Sequence, residues 1–223
     1  MPSEGTHLQR YANRLNAAEI NSSFYRSHRR NTYERWAASV PSHFRFAVKV
    51  PKAITHERRL VDCEQLLHTF ADEVAGLGAS RGPSLVQLPP SLAFDPDVAE
   101  PFFTAVATSL GPKVVCEPRH ASWFEPAADD VLAAWRVARV AADPAVVPRA
   151  ARPGGWLELA YFRLHGSPAI YRSEYDQMFL ERQRDMIVAA RDGGAECWTI
   201  FDNTASGAAL PNALQLSTLI PRA

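Results

Sequence analysis

Seven short apolar runs recur along the chain, and polar residues follow the apolar part of each run. Stretches with the spacing of amphipathic helices fill most of the gaps between them. This alternation is typical of parallel β/α units, whose strands are buried on both faces and joined by crossover helices. The predicted strands occupy residues 17–24, 45–50, 84–89, 113–120, 137–143, 160–166 and 197–203.

The polar ends of these strands indicate where a site would form, because barrels and doubly wound sheets carry their sites at the carboxyl ends of parallel strands. The outward face of a barrel strand meets apolar helices, so we expect charged residues to point inward, paired or beside a wet pocket. Alternation predicts three shared faces: Glu19, Asn21 and Ser23; Val115, Glu117 and Arg119; and Tyr161, Arg163 and His165.

Length and charge narrow the class of protein. A chain of 223 residues suits one α/β domain, and we predict a single β/α-barrel domain over residues 1–223. Lys plus Arg and Asp plus Glu each number 24, so the global basic field of many nucleic-acid-binding proteins is absent. Neither a membrane-spanning run nor a signal-peptide core is evident, so we expect a cytoplasmic protein without a membrane partner.

Longer motifs resemble a known family, and they occur in the same order from about Gly5 to Leu219. The chain resembles the YecE-like family (domain of unknown function 72), which implies a TIM-type β/α barrel and no established activity. The motifs that show the resemblance are EINSSFYR, PSHFRFAVKVPKAITHERRL, LVQLPPSL, CEPRHASWF, FRLHG with YRSEY, and FDNTASGAALPNA.

Two departures from the family pattern affect these expectations. Members usually begin with a strand that contains a Gly-Ser-Gly-Trp-like motif, and only seven strand candidates remain here. Either that strand lies upstream, or the barrel is open between residues 17–24 and 197–203, where an unpaired edge would favour a homodimer. The second departure is Asp202, where the family usually has Asn, and an extra carboxylate there would alter the charge preference for a ligand.

One hypothesis is acid/base chemistry by Glu19 and Glu117, with Lys49 and Arg119 beside them. Burial and cationic neighbours drive the pKa values of two inward carboxylates apart, so that one group acts as base and the other as acid. Lys49 and His165 complete the predicted catalytic set. The alternative is an internal salt-bridge network that stabilises the fold, and both interpretations stay open.

A metal site is a weaker hypothesis. Carboxylates bind hard cations, and histidine with carboxylate binds zinc, but the spacing of the candidates matches no recognised ligand motif. We therefore predict no metal, and no cofactor either, since no dinucleotide fingerprint follows any strand. The candidates considered are Glu117, His120, Asp143, His165 and Asp202.

An anion site is the third hypothesis, because several cationic side chains fall at or just after strand ends. Arginine offers a planar fork that fits carboxylate or phosphate, and aromatic residues beyond the strand ends would form a wall for a sugar or base, or simply pack at the rim. The predicted ligand-binding residues are Asn21, His56, Gln87, Arg119, His120, Asp143, Arg163, Tyr171, Tyr175, Asp202 and Asn203.

These hypotheses together favour a small-molecule enzyme or binder, acting on a polar anionic or sugar-like ligand at the barrel mouth. If it is an enzyme, hydrolysis or isomerisation is favoured over redox chemistry. Three alternatives remain: a metal-dependent nucleic-acid-processing enzyme of endonuclease-barrel type, a non-catalytic ligand-binding barrel, and a chain inactivated by loss of its first strand. Zero net charge disfavours the nucleic-acid partner.

Overall fold

Strands and helices alternate along the chain in the computed structural model, which describes residues 5–221. The described strands are β1 Ala17–Ile20, β2 Arg45–Lys49, β3 Arg81–Gln87, β4 Val114–Glu117, β5 Val137–Arg139, β6 Ala141–Asp143, β7 Gly154–Gly155, β8 Leu159–Leu164 and β9 Glu196–Phe201. The described α-helices are α1 His7–Ala12, α2 Ser22–Tyr25, α3 Arg30–Ala38, α4 Glu64–Val74, α5 Pro96–Leu110, α6 Pro126–Ala134, α7 Gln177–Asp192 and α8 Ala209–Leu219. The predicted α/β class is confirmed.

The chain divides into two compact units, the first ending at Cys116 and the second beginning at Glu117. Each unit contains hydrogen-bonded parallel strands and helices of its own. The single β/α-barrel domain over residues 1–223 remains a prediction, and both of its bounds lie outside the described residues.

The first unit is built on a parallel sheet in which β2 lies between β1 and β3. β4 lies beside β3, where the Ser84 N–H donates to the Lys113 carbonyl at 2.9 Å. Helices α4 and α5 pack against each other. Their buried stripes have the helical spacing that the sequence predicts, because apolar residues three and four apart share one face.

The second unit contains a parallel sheet in which β8 lies between β6 and β9. Ala160, Phe162 and Leu164 of β8 pack in one apolar core with residues of α7 and α8. Tyr161 and Arg163, which alternate with them, are buried but lie outside that core. The predicted alternation along this strand is therefore confirmed, and it directs Arg163 away from the helices.

The strand predicted over residues 17–24 is too long. β1 ends at Ile20, and α2 begins at Ser22. The Ser23 hydroxyl donates to the Ile20 carbonyl at 3.0 Å and to the Lys49 carbonyl at 2.7 Å, the type of side-chain to backbone bond that competes with strand pairing. Asn21 therefore does not share a strand face with Glu19, and that prediction was wrong.

The predicted count of seven strands is also wrong, since residues 5–221 contain nine. The run 137–143 forms two strands because the chain changes partner at Val140: β5 pairs antiparallel with β7, and β6 pairs parallel with β8. The strand predicted over residues 113–120 is also too long. β4 ends at Glu117, and Pro118, which has no N–H to donate, follows it.

Within each unit the described strands form open sheets, and a closed barrel is found in neither. The fold shown is a mixed α/β fold with mostly parallel strands. None of the helices in the described part of the chain combines the length and apolar character needed to cross a membrane.

Candidate functional site

Charged side chains from three strand ends meet in the second unit. Glu117 is the last residue of β4, Arg163 lies near the end of β8, and His165 directly follows β8. Because β8 and β9 are parallel and in register, His165 and Asp202 leave the sheet side by side. We call this group the Arg163 network, and its members are Glu117, Arg119, Arg163, His165 and Asp202.

Glu117 lies at the centre of the network. Its Oε2 accepts a hydrogen bond from Arg163 Nη1 at 2.6 Å, with both side chains only 1% exposed. Its Oε1 accepts from Arg119 Nη2 at 2.8 Å and lies 2.9 Å from His165 Nε2. β4 ends at Glu117, so the prediction that Glu117 and Arg119 share a strand face was wrong. Arg119 reaches the carboxylate from the loop that follows the strand.

Asp202 is the second carboxylate of the network. Its Oδ2 accepts from Arg163 Nη2 at 3.1 Å and lies 3.1 Å from His165 Nδ1. Arg163 and His165 therefore each bridge the same two carboxylates. The side chain of Asp202 is 20% exposed, so the network is buried at Glu117 and reaches solvent at Asp202.

The surroundings of Glu117 favour its ionised form. Burial alone would raise the pKa of this carboxyl, but the charge of Arg163, the hydrogen bond from His165 and the charge of Arg119 outweigh it and hold the pKa well below its usual range. A carboxylate held ionised in this way is a weak proton donor or acceptor near neutral pH. The geometry thus favours the salt-bridge alternative for Glu117.

His165 is shifted toward its protonated form. Burial lowers the pKa of the imidazole, but hydrogen bonds to Asp202 and Glu117 and the charge of Glu117 outweigh it, and the net shift is upward. With both carboxylates ionised, the two guanidinium groups balance them. A protonated His165 then leaves the network with one net positive charge.

Arg119 is the cation of the network that reaches solvent, with 27% of its side chain exposed. Its Nη2 binds Glu117 and also lies 3.2 Å from His165 Nε2. Its Nε is buried and has no hydrogen-bond partner among the described residues. A buried donor without a partner costs free energy, about 1–3 kcal/mol in typical proteins, and an anionic acceptor would remove that cost.

Asp143 and Tyr175 fix the chain beside the network. The Tyr175 hydroxyl donates to Asp143 Oδ2 at 2.8 Å and accepts from the Gly166 N–H at 2.7 Å, and burial raises the pKa of this phenol above its usual range. The His165 N–H donates to the Asp143 carbonyl at 2.8 Å. Tyr175 is only 5% exposed, so its placement favours the packing alternative over an open aromatic wall.

Asn203 holds the loop that follows β8. Its Nδ2 donates to the Ser173 carbonyl at 2.9 Å and to Asn212 Oδ1 at 3.0 Å. Asn212 in turn accepts from the Tyr175 N–H and donates to the Tyr175 carbonyl, each at 3.0 Å. Sequence reasoning missed Asn212. No local pattern indicated this role, because the backbone that Asn212 bonds to, at Tyr175, lies 37 residues away in the chain.

The remaining predicted residues of the second unit are His120 and Tyr171. The His120 ring accepts from the Ser122 N–H at 3.3 Å and caps the short 3₁₀ turn Ala121–Phe124. Tyr171 is exposed, and its ring lies edge-on to the His165 ring, with 5.9 Å between centroids. Tyr171 therefore contacts the network, whereas His120 bonds to the turn that follows it.

Two of the predicted residues of the first unit, Lys49 and His56, contact the Phe24 ring. Lys49 Nζ lies 4.0 Å from the centroid of the Phe24 ring, and His56 packs edge-on to that ring at 4.9 Å. Sequence reasoning missed Phe24, because a phenylalanine in an apolar run resembles any core residue. Glu19 pairs with Ala47 in the sheet. The pairing of Glu19 with Glu117 for acid/base work stays a prediction.

The other two predicted residues of the first unit lie at strand ends. Gln87 is the last residue of β3, and Asn21 follows β1. Asn21 Oδ1 is buried and has no hydrogen-bond partner among the described residues. Position at a strand end does not by itself assign either residue a role, so ligand binding by both stays a prediction.

Among residues 5–221, no group of three or more histidine, cysteine, aspartate or glutamate side chains is arranged to hold a metal ion. Glu117, His165 and Asp202, which the sequence placed among the metal candidates, are paired with each other and with guanidinium groups instead. Chemically, the arrangement offers a fixed positive charge at Arg119 and a proton on His165.

Comparison with known proteins gives one match over the full length. The family model described as "Protein of unknown function DUF72" matches residues 1–223. Over 84 residues the chain is 31% identical to UPF0759 protein YecE of Escherichia coli K12, and the same values hold for the protein of strain O157:H7. That alignment covers 38% of this chain, which thus spans about a third (31%) of the curated relatives.

Two solved structures are similar in fold. A DUF72 family protein from Enterococcus faecalis V583 has a TM-score of 0.81 at 21% identity, covering 96% of this chain and 92% of the other. A DUF72 family protein from Thermotoga maritima MSB8 has a TM-score of 0.76 at 22% identity, covering 92% and 84%. At these identities the likeness shows a shared fold.

Proposed function

Since this chain belongs to the DUF72 family, a family of unknown function, we propose from its own geometry that the Arg163 network binds a small anionic ligand. The observation that supports this most is the state of Arg119. Its side chain is 27% exposed, while its buried Nε has no hydrogen-bond partner among the described residues. A carboxylate, phosphate or sulfate group satisfies such a donor well, because charge-assisted hydrogen bonds are short and strong.

The charge of the network supports the same proposal. A protonated His165 gives one positive charge in excess of the two carboxylates, and that charge lies beside Arg119. Asp202 restricts the ligand, because a partly exposed carboxylate repels a second anionic group but accepts hydrogen bonds from hydroxyls. The best-fitting ligand is therefore a small polar molecule with one anionic group, which includes anionic sugars.

An enzyme of hydrolase or isomerase type is the second candidate. The observation that favours it is the position of His165 between two carboxylate oxygens, because a histidine with a raised pKa can supply a proton near neutral pH. In this version Glu117 and Asp202 orient the imidazole, and Arg119 holds the anionic part of the substrate.

We also propose that the complete fold is a TIM-type barrel. The parallel order of β1, β2 and β3 in one unit and of β6, β8 and β9 in the other supports it. An experimental structure of the full-length protein tests this: a closed ring of strands agrees with the proposal, and two separate open sheets contradict it.

Sulfate is a suitable probe for the anion site, because its charge does not change between mildly acidic and mildly basic pH. We expect isothermal titration at about pH 6, where His165 is protonated, to show sulfate binding that Arg119→Gln weakens by about tenfold or more. Arg149→Gln is the matched control, since Arg149 is also an exposed arginine paired with a carboxylate, Asp129. Equal affinities in the wild type and Arg119→Gln would contradict the proposal.

A further inference from the structure

Tyr171 and Arg119, the cation of the proposed site, both lie against the His165 ring. Its ring packs edge-on to the His165 ring, with 5.9 Å between centroids. On the same imidazole, Nε2 lies 3.2 Å from Arg119 Nη2. One buried imidazole thus has a guanidinium group and a phenol ring as neighbours, and both of these neighbours reach solvent.

The backbone holds Tyr171 in an uncommon conformation. Its φ is +67°, in the left-handed region that bulky residues rarely adopt. The Tyr171 N–H donates to the His165 carbonyl at 2.5 Å, and the Tyr171 carbonyl accepts from the Ala205 N–H at 2.9 Å. Hydrogen bonds on both sides fix this residue, as expected where the surroundings impose a conformation that costs free energy.

The exposure of the ring separates Tyr171 from Tyr175 of the same loop. Tyr175 stacks on Phe179 with centroids 4.1 Å apart and donates its hydroxyl to Asp143. Tyr171 is 46% exposed, and its neighbour Ile170 is 47% exposed. A tyrosine that only packs would be covered as Tyr175 is. Tyr171 instead presents apolar ring surface to solvent beside the network.

Apolar surface next to a positive charge matches a ligand with two parts. An aromatic side chain binds a flat ring by stacking, and such ring pairs contribute about 0.5–1.5 kcal/mol beyond the area that they bury. A guanidinium group binds the anionic group of the same molecule. A bare inorganic anion would use Arg119 alone and leave the Tyr171 ring in water.

We propose that Tyr171 determines specificity at this site, by selecting small anions that have a flat apolar ring attached to the anionic group. This inference rests on the proposed anion-binding function. It adds the class of ligand, an aromatic monoanion, to the site at Arg119.

Phenyl sulfate and methyl sulfate are suitable probes, because both are monoanions and they differ in the ring. We expect isothermal titration of the wild type to show phenyl sulfate binding about tenfold more tightly than methyl sulfate. Tyr171→Asn should remove this preference, by weakening the binding of phenyl sulfate much more than that of methyl sulfate, since asparagine tolerates a positive φ but has no ring. Tyr171→Phe should keep the preference, and thermal unfolding of both variants checks that they fold.

The outcomes separate the two proposals. If the wild type binds both esters with equal affinity, or if Tyr171→Asn keeps the preference, the role of Tyr171 is wrong while the anion site stands. If neither ester nor sulfate binds, the proposed anion site fails, and the inference on Tyr171 fails with it.

Discussion

Arg139 and Arg163 are both buried arginines on strands of the second unit, but they donate to different kinds of acceptor. Arg139 Nε donates to Asp129 Oδ1 at 2.7 Å. Its Nη1 donates to the carbonyls of Arg149 and Arg152 at 3.2 and 3.3 Å. Arg163 is bound by carboxylates of two strand ends. The first arrangement joins one carboxylate to backbone, and the second joins two carboxylates to each other.

The acceptors indicate what each arginine does. We call Asp129, Arg139 and Arg149 the Arg139 cluster. Asp129 Oδ1 also accepts from the Gly155 N–H at 3.1 Å, so this cluster fastens the segment before β8 to helix α6. Both arginines are ion-paired with Asp129, and no histidine belongs to this group.

The Arg163 network differs because a titratable imidazole bridges its two carboxylates. Its net charge therefore changes with pH near neutrality, whereas the Arg139 cluster contains no histidine. A buried arginine is by itself uninformative about function. What distinguishes the two regions is the imidazole of His165, which gains or loses a proton near neutral pH.

The largest expected effect comes from removing each arginine in turn. Arg163→Met leaves Glu117 buried without its closest cation, and we expect a loss of about 3–5 kcal/mol in the free energy of unfolding. Arg139→Met should cost less, roughly 2 kcal/mol, because Asp129 is 17% exposed and keeps Arg149, the Gly155 N–H and solvent as partners, whereas Glu117 is 1% exposed. Urea unfolding of both variants measures the difference.

The difference in stability between Arg163→Met and Arg139→Met should also depend on pH. At low pH the carboxyl of Glu117 becomes protonated in Arg163→Met and needs no cation, so the gap between the variants should narrow on acidification. Equal losses in the free energy of unfolding for the two variants would contradict the distinction between the two regions. A difference between the variants that does not change with pH would contradict it as well.

A smaller effect is expected on the pH dependence of stability. The pKa of His165 is raised in the folded protein above its ordinary value of 6.5. The stability that His165 contributes is therefore fully present below pH 6.5 and is lost as pH rises through the folded pKa. Glu117 has the opposite sign, since its pKa is lowered, and its contribution is lost in acid.

His165→Gln should flatten the decline in stability on the alkaline side of pH 6.5. Arg149→Gln, a change in the Arg139 cluster, should leave that decline unchanged and cost no more than about 1 kcal/mol, because Arg149 is half exposed. Thermal unfolding across a pH series measures both. A decline that persists unchanged in His165→Gln would assign the pH dependence to other groups.

Much of the fold could be predicted from the sequence, because apolar runs are a local property of the chain. Each of the seven predicted runs overlaps a strand, and alternation in β8 correctly placed Arg163 and Phe162 on opposite faces. The predicted strand bounds were wrong where contacts with residues distant in the chain determine where a strand ends. The interruption of the strand at Val140 depends on pairing with β7 before it and with β8 after it. The end of β1 depends on the hydrogen bond from Ser23 to the Lys49 carbonyl.

The site was predictable in part for the same reason. Charged residues at strand ends were recognised, and five of them do meet in one network. The sequence could not tell that Tyr175 is covered while Tyr171 is exposed, because both follow the same strand. Nor could it show that Glu117 is held ionised, since that depends on three cations brought together by register.

The proposed site requires that His165 is protonated and that an anion binds beside it. One NMR titration tests both requirements. We predict that the imidazole of His165 titrates above 6.5, and that saturating sulfate raises its pKa further, because a bound anion stabilises the imidazolium. A pKa at or below 6.5 that sulfate leaves unchanged would contradict the account.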